Sequence, residues 1–267
     1  MTTTESTRPV LVTGAGGKVG RRVVAGLTAA GRTVRPASRS TPVRLDWEDA
    51  STGPAAFAGV GAAFVVPPET IVDLGSFADV VEKAGVERLV LLSARHPEQG
   101  GESIVPAFEE AVAAADVPAV VLRPSWFVQN FTEGMFVPEL ERGSLTLPVG
   151  DGAEPFIDAA DIAAVAVDAL LSARHDGRTY ELSGPELLTF AQAIALVGAA
   201  TSRDLTFVAA DTAAWADAAR AELPPALVEQ LVNLFTAIRR GDNAHLDTGV
   251  QEALGRAPRT FAQALAG

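Results

Sequence analysis

The fold is decided by the stretch Val10-Leu11-Val12-Thr13-Gly14-Ala15-Gly16-Gly17-Lys18-Val19-Gly20. Its apolar start predicts a short buried strand over residues 10–12, which the glycines end abruptly. Beyond them, apolar residues recur at helical spacing at Val19, Val23, Leu27 and Ala30, so residues 21–30 are predicted to form a helix. A strand, a glycine-rich turn and a helix in this order are the context in which such a turn binds a dinucleotide.

The glycines of this turn stand at positions 14, 17 and 20, a G-x-x-G-x-x-G spacing. Gly14 is expected to form the tight turn, Gly17 to let backbone N–H groups approach a pyrophosphate, and Gly20 to let the helix pack close to the strand. The helix would then begin beside the phosphates, and the unpaired N–H groups of its first turn would donate to them. The cofactor-binding residues predicted here are Thr13, Gly14, Gly16, Gly17, Lys18, Val19 and Gly20.

A second segment predicts which dinucleotide binds. The predicted strand 33–38 ends in Ser38-Arg39-Ser40, and no carboxylate follows before Asp46. An acidic residue at this position accepts hydrogen bonds from the ribose 2′-hydroxyl of NAD, whereas an arginine accommodates the 2′-phosphate of NADP. The guanidinium fork suits a phosphate. The sequence therefore predicts NADPH, with Asp46 accepting from the adenine amino group; a solvated loop arginine is the alternative interpretation.

Strands and helices alternate through the first half of the chain. Apolar patterns predict strands over 62–66, 88–93 and 119–122, with helices over 74–84 and through 104–112. This rhythm is typical of an α/β protein with a Rossmann-type, doubly wound parallel sheet. Because ligands bind at the carboxyl ends of such strands, Val66, Pro67 and Ser93 are added to the predicted cofactor contacts. Trp47, which follows Asp46, is also predicted to contact the cofactor.

The rhythm changes after Ser125, which suggests a division of the chain. We expect a disordered tail over residues 1–8, an NADP-binding Rossmann domain over 9–125, and a substrate-binding part over 126–267 that is interleaved with the main domain. Short strands are predicted in this second part at 145–148 and 155–157.

Composition excludes several classes of protein. The chain has 267 residues, of which 48% are hydrophobic, so it can bury a large core. It has no cysteine and therefore no disulfide framework or thiolate chemistry. Its net charge of −12 argues against nucleic acid as a partner, and no apolar run approaches the ~20 residues of a membrane span. The polar start does not resemble a signal peptide, and a cytoplasmic location is expected.

The predicted substrate contacts follow Ser125, where Trp126-Phe127-Val128-Gln129-Asn130-Phe131 concentrates aromatic and amide side chains. This segment is predicted to form a wall of the substrate site, although packing in a core would explain the aromatic residues equally well. The predicted substrate residues are His96, Trp126, Phe127, Gln129, Asn130 and Met135. His96 is included because it follows the carboxyl end of a strand, and a solvated loop histidine is the alternative.

The residue inventory limits the chemistry. Reductases built on this turn commonly use a Tyr-x-x-x-Lys pair, but the single tyrosine, Tyr180, is followed by Gly184 at the lysine position. The three histidines are far apart in sequence, so no metal site is predicted. Ser93 is expected to donate or accept hydrogen bonds, and with Trp126 and Asn130 it is predicted to position the reactants. An iminium carbon accepts hydride without a proton, and a quinone oxyanion can be protonated from water, so these acceptors are favoured over a simple ketone.

The chain resembles the NmrA-like atypical short-chain dehydrogenases, and within them the branch of ergot-alkaloid biosynthesis that includes festuclavine and agroclavine dehydrogenases. The resemblance covers nearly the whole chain and lies in residues 13–20, 37–40, 46–47, 66–68, 84–90, 122–131, 155–158 and 161–163, together with the ending near Gly255. It implies a Rossmann fold with a small mixed α/β C-terminal substrate lobe, NADPH binding and no Tyr/Lys pair. Many relatives carry a histidine in the helix after Ser93, where this chain has residues 106–110, so any acid role there does not transfer.

The resulting hypothesis is an NADPH-dependent reductase that transfers hydride to an imine, iminium or quinone-type small molecule. Since the family also contains redox-sensing regulators, a non-catalytic NADP-binding sensor is one alternative. A non-redox biosynthetic enzyme, such as a cyclase or isomerase on the same fold, is another.

Overall fold

The computed structural model describes residues 8–99, 101 and 103–267; residues 1–7, which belong to the predicted disordered tail, lie outside it. Arg8, also assigned to that tail, donates to the carboxylate of Glu87 at 3.1 Å. The strands are β1 Val10–Thr13, β2 Val34–Ser38, β3 Val43–Arg44, β4 Ala62–Val65, β5 Arg88–Leu92, β6 Ala119–Pro124, β7 Ser144–Leu147, β8 Ala153–Glu154, β9 Thr179–Leu182, β10 Leu188–Thr189 and β11 Thr206–Ala209. The α-helices are α1 Gly20–Ala29, α2 Gly53–Phe57, α3 Phe77–Lys83, α4 Ile104–Ala114, α5 Val137–Glu141, α6 Ala159–Leu171, α7 Phe190–Thr201, α8 Thr212–Ala219, α9 Pro225–Arg240, α10 Gly249–Leu254 and α11 Phe261–Ala266.

The main sheet has the strand order β3-β2-β1-β4-β5-β6-β9 within the described residues. The pairs from β2–β1 through β5–β6 are parallel, and β1 lies between β2 and β4. The chain leaves β1 toward one side of the sheet and returns to its other side with β4, so the strand order reverses there. Such a switch point opens a crevice at the carboxyl ends of the two central strands. The predicted Rossmann-type α/β fold is confirmed.

The chain divides into two compact units, each with its own hydrophobic core. The first comprises Met1–Ala94, Ile104–Arg123 and Ile162–Tyr180; the second comprises Arg95–Ser103, Pro124–Asp161 and Glu181–Gly267. Phe57, Phe64 and Phe108 are fully buried in the first unit, as Phe190 and Phe235 are in the second. The second unit contains the antiparallel pair β8–β10 and the parallel pair β7–β11.

The predicted strand over residues 155–157 is wrong. Strand β8 ends at Glu154, and Ile157 makes only an isolated parallel bridge with Phe127. The carbonyl of Pro155 is instead bound by the hydroxyl of Ser125 at 2.6 Å and by the N–H of Gly184 at 3.0 Å, so it takes no part in a ladder. Among the described residues, no helix is both long and apolar enough to cross a membrane.

Candidate functional site

The glycine turn has the tight geometry that its spacing predicts. Gly14 adopts φ +59°, a conformation that glycine reaches without strain, and its carbonyl accepts from the N–H of Gly17 at 2.9 Å. A Cβ placed on Gly20 would lie 2.1 Å from the same carbonyl oxygen, so only glycine lets α1 begin this close to the turn. The first turn of α1 carries no acidic residue. Its partial positive charge is therefore available to an anion.

The ends of β1 and β4 are joined by one side chain. The hydroxyl of Thr13 accepts from the N–H of Val66 at 2.6 Å and lies 3.4 Å from the carbonyl of the same residue. Thr13 is buried, and the hydrogen bonds fix how far apart the two strands end. The crevice of the switch point therefore has defined walls.

A cleft of about 420 Å³ lies at these strand ends, entirely within the first unit. Its lining includes eight of the predicted cofactor residues: Thr13, Gly14, Ser38, Arg39, Asp46, Trp47, Val66 and Pro67. It also includes residues that were not predicted, among them Glu48, Glu69 and Thr70. The remaining predicted residues Gly16, Gly17, Lys18, Val19 and Gly20 form the turn that continues from Gly14. Ser40 follows Arg39 on its loop.

The residues of this cleft suit a phosphorylated dinucleotide. Gly14, at the start of the turn, and Arg39 line the same cavity, and the arginine side of the cleft carries the hydroxyl of Ser38. A Cβ on Gly16 would meet no atom within 4 Å, so the turn leaves open space at that position. Backbone N–H groups, an exposed guanidinium and a hydroxyl are groups that bind phosphate oxygens.

Two carboxylates moderate the charge of the cleft. The pKa of Lys18 is lowered mainly by partial burial and further by the charge of Arg21, while the charge of Glu69 acts to raise it. Asp46 is bound by Arg44 at 3.1 Å and accepts from the N–H of Glu48 at 3.3 Å. Asp46 is therefore held in a fixed orientation at the cleft wall.

Trp47 belongs partly to the core of the first unit. Its ring meets Phe108 edge to face, with centroids 5.0 Å apart, and it is half-buried. One side of the residue thus packs while another lines the cleft.

Ser93 has a partner that the sequence did not reveal. Its hydroxyl donates to the carboxylate of Glu109 on α4, and Arg123 at the end of β6 binds the same carboxylate through Nε at 2.9 Å and Nη2 at 2.5 Å. Burial acts to raise the pKa of Glu109, but the hydrogen bonds from Arg123 and Ser93 and the charge of Arg123 outweigh it and leave the pKa below its ordinary value. Glu109 is therefore ionised at neutral pH.

The predicted substrate residues lie in the second unit, and several have structural roles there. Trp126 packs on Phe136, Phe190 and Phe235 at centroid distances of 5.8 to 6.3 Å, which supports the core-packing interpretation. Phe127 pairs with Ile157 in the isolated bridge.

Gln129, another predicted substrate residue, is hydrogen-bonded within the second unit. It is 4% exposed, and its amide donates to Asp158 at 2.9 Å and accepts from the N–H of Ala159 at 2.8 Å. Both ends of the amide are thus used at the start of α6. The side chain therefore stabilises the start of this helix, and its role toward a substrate stays a prediction.

The other predicted substrate residues remain accessible. Asn130 ends a short 3₁₀ helix and is half-buried, and Met135 is 47% exposed. His96 adopts φ +45°, lies 3.5 Å from the carboxylate of Glu98, and has its ring 6.0 Å from that of His245. Their roles toward a substrate remain predictions.

Sequence reasoning missed Glu48, Glu69 and Glu109 because each is an ordinary charged residue in its local context. Glu109 follows the buried Phe108 on an amphipathic helix, where a solvated carboxylate is the usual expectation. Only the register that joins Ser93 N–H to the carbonyl of Leu122 brings Ser93 beside Arg123 and hence to their shared carboxylate. Within the described part of the chain, no three histidine or acidic residues are grouped so that they could hold a metal ion.

The chain is similar to several known proteins in sequence and in fold. Festuclavine dehydrogenase easG from Aspergillus fumigatus is 30% identical over 275 residues, which cover 94% of each chain. The (4-alkanoyl-5-oxo-2,5-dihydrofuran-3-yl)methyl phosphate reductase of Streptomyces griseus is 32% identical over 94% of this chain and 95% of its own. The fold is similar to that of an NADPH-dependent quinone oxidoreductase from Escherichia coli solved with NADPH, at a TM-score of 0.79 and 21% identity over 96% of this chain and 98% of the other. Residues 6–261 match the sequence pattern of the NmrA-like family. Since that match spans almost the whole sequence, the chain belongs to the NmrA-like family.

Proposed function

We propose that this protein is an NADPH-dependent reductase that transfers hydride to an imine, iminium or quinone-type small molecule. The observation that carries the proposal is the cleft at the switch point, where Gly14 and Arg39 line one cavity at the ends of β1 and β2. The names of the relatives, two of which are a dehydrogenase and a reductase, support the same class of chemistry.

The residues assigned to the cofactor each have a physical task. The turn that begins at Gly14 and the start of α1 would bind the pyrophosphate through backbone N–H groups. Arg39 and Ser38 would bind the 2′-phosphate, and Asp46 and Trp47 would hold the adenine end. NADPH, when bound, supplies a hydride; the chain has to position the acceptor and exclude water.

The absence of an evident strong proton donor favours particular acceptors. Tyr180, the single tyrosine of the chain, is 4% exposed and its hydroxyl lies 2.8 Å from Nδ1 of His175, so it is occupied within the core. An iminium carbon that accepts hydride passes the electron pair of its C=N bond to nitrogen, and the amine forms without any proton transfer. A quinone needs one proton in addition, which water can give to the delocalised oxyanion. A simple ketone would need an acid at the alkoxide.

The test is a substitution of Arg39, the residue predicted to bind the 2′-phosphate. Arg39→Asp removes a charge-assisted contact and places a carboxylate beside the 2′-phosphate, so the dissociation constant for NADPH should rise at least roughly tenfold more than that for NADH. Both are measured by titration of the purified protein. Arg142→Asp is the matched control, because Arg142 is exposed, lies in the second unit and carries the same change of charge.

Equal losses of affinity for NADPH and NADH would refute the assignment of Arg39.

A second experiment follows NADPH absorbance with a panel of cyclic imines, iminium salts and quinones. Consumption with one class establishes the reductase, whereas tight binding without any consumption would instead favour the NADP-binding sensor or the non-redox enzyme.

A further inference from the structure

The hydroxyl of Ser93 uses its single proton in a hydrogen bond to the carboxylate of Glu109. Glu109 is an ionised carboxylate that has no proton to offer, so the hydrogen bond between the two side chains runs from Ser93 to Glu109. A serine hydroxyl has one donor and two acceptor lone pairs. What remains available at Ser93 for a ligand is therefore an acceptor.

Arg123 keeps Glu109 ionised and so maintains the direction of the hydrogen bond from Ser93 to Glu109. It binds both carboxylate oxygens of Glu109, at 2.9 and 2.5 Å, and the side chains of Glu109 and Arg123 are only 17% and 31% exposed. A bidentate pair fixes the plane of the carboxylate as well as its charge. Rotating the Ser93 proton toward a ligand would leave one carboxylate oxygen without its serine donor, which is unfavourable in a largely buried place.

Ser93 is 7% exposed and lies at the carboxyl edge of the main sheet. It directly follows β5, which pairs in parallel with β4, and the end of β4 forms a wall of the cleft. Its N–H donates to the carbonyl of Leu122 at 2.8 Å, so its backbone is held by the sheet. In open α/β sheets, ligands bind outside the carboxyl ends of the strands.

We propose that Ser93, oriented by Glu109 and Arg123, is a hydrogen-bond acceptor that makes the site select a protonated imine over a carbonyl compound. The N–H of a protonated C=N group donates to the Ser93 oxygen, whereas a carbonyl oxygen would face the lone pairs of another acceptor. This inference rests on the proposed function and narrows its substrate class. Glu109 and Arg123 are positioning residues, since they act through Ser93.

Binding of non-reducible probes tests the inference without turnover. The probes are 2-iminopiperidine, an amidinium cation at neutral pH, and the neutral lactam N-methyl-δ-valerolactam, which has a carbonyl oxygen but no N–H; each is titrated calorimetrically into the protein with NADP⁺. The native protein should bind the amidinium more tightly than the lactam. In Glu109→Gln the new amide N–H can donate to Ser93 and release its hydroxyl proton, so the ratio of the two affinities should fall roughly tenfold.

Two further variants separate this explanation from general damage. Glu110→Gln changes the neighbouring, exposed residue of the same helix and should leave the ratio unchanged. Ser93→Ala should abolish the preference, and adding Glu109→Gln to it should have no further effect on the ratio. Thermal midpoints of all variants establish that they fold, and the ratio of kcat/KM for 2-methyl-1-pyrroline and a benzoquinone should follow the binding ratio.

The outcomes distinguish this inference from the proposed function. If the native protein prefers the lactam, or if Glu109→Gln keeps the native ratio, the inference is overturned even when NADPH is consumed. It is also overturned if Glu109→Gln changes the ratio in the Ser93→Ala background, since the effect would then not pass through Ser93. If the native protein binds no NADPH, the proposed function itself fails.

Discussion

Glu154 provides a pH-dependent test of how the second unit is stabilised. The residue is 0% exposed; one carboxylate oxygen accepts from Nδ2 of Asn243 at 3.0 Å, and the other has no hydrogen-bond partner among the described residues. Burial raises its pKa from 4.5 to about 7, against the hydrogen bond from Asn243 and the charge of Arg95, which both act to lower it. The folded protein therefore holds this proton more tightly than the unfolded chain does.

The sign of the effect follows from linkage. Where the folded state binds more protons than the unfolded state, the free energy of unfolding decreases as pH rises. The stabilisation from protonated Glu154 is complete below its unfolded pKa of 4.5 and is lost as pH rises through about 7. At 1.36 kcal/mol for each pKa unit, the whole effect is about 3 kcal/mol, of which about 2 kcal/mol falls between about pH 5.5 and pH 8.5.

The variant Glu154→Gln removes the titration and keeps an oxygen that accepts from Asn243. The native protein should lose about 2 kcal/mol more of its free energy of unfolding than the variant does between about pH 5.5 and pH 8.5. Urea unfolding followed by tryptophan fluorescence measures this, because Trp126 and Trp215 lie in the same unit as Glu154. The range stays above the isoelectric point of about 4.7, where proteins are least soluble.

Glu229→Gln is the control for the loss of one carboxylate, since Glu229 is exposed in the same unit. Its pH dependence should follow that of the native protein. The reasoning is refuted if Glu154→Gln and the native protein lose stability in parallel over this range, because Glu154 would then titrate alike in the folded and unfolded states.

Two further predictions concern single buried contacts. Gly20→Ala places a methyl group 2.1 Å from the carbonyl oxygen of Gly14, so it should lower the thermal midpoint and weaken NADPH binding by at least roughly tenfold, whereas Gly16→Ala, where the added Cβ meets no atom within 4 Å, should keep the native midpoint. Asp161 is fully buried, binds Arg256 at 2.7 Å and accepts from the N–H of Arg259 at 2.6 Å. Because Asp161→Asn weakens these charge-assisted hydrogen bonds, it should lower the free energy of unfolding, measured with urea, by about 2 kcal/mol; a loss below about 1 kcal/mol would contradict a structural role for Asp161.

Much of the nucleotide-binding unit could be predicted because its signals are local. The glycine spacing, the apolar strand before it and the helical periodicity after it all lie within residues 10–30. Arg39 stands at the end of the next strand, and the topology rule for open α/β sheets places it beside the same turn. These predictions needed no knowledge of which distant side chains meet.

The aromatic segment after Ser125 could not be assigned in the same way. Aromatic residues are as common in cores as in binding sites, and only the packing of Trp126 on Phe136 and Phe235 supports the first interpretation. Likewise, nothing local distinguishes an amide that contacts a substrate from Gln129, which binds Asp158 across 29 positions of sequence.

Local sequence patterns therefore specify the strand–turn–helix unit, the α/β alternation and which residues stand at the strand ends. The groups that surround particular residues follow from the tertiary fold: Glu109 and Arg123 around Ser93, Val66 beside Thr13, and the buried surroundings of Glu154. The physical reason is that backbone preferences and hydrophobic periodicity act between residues close in the chain. Hydrogen-bond polarity and pKa depend on groups brought together by sheet register and helix packing, which no local pattern encodes.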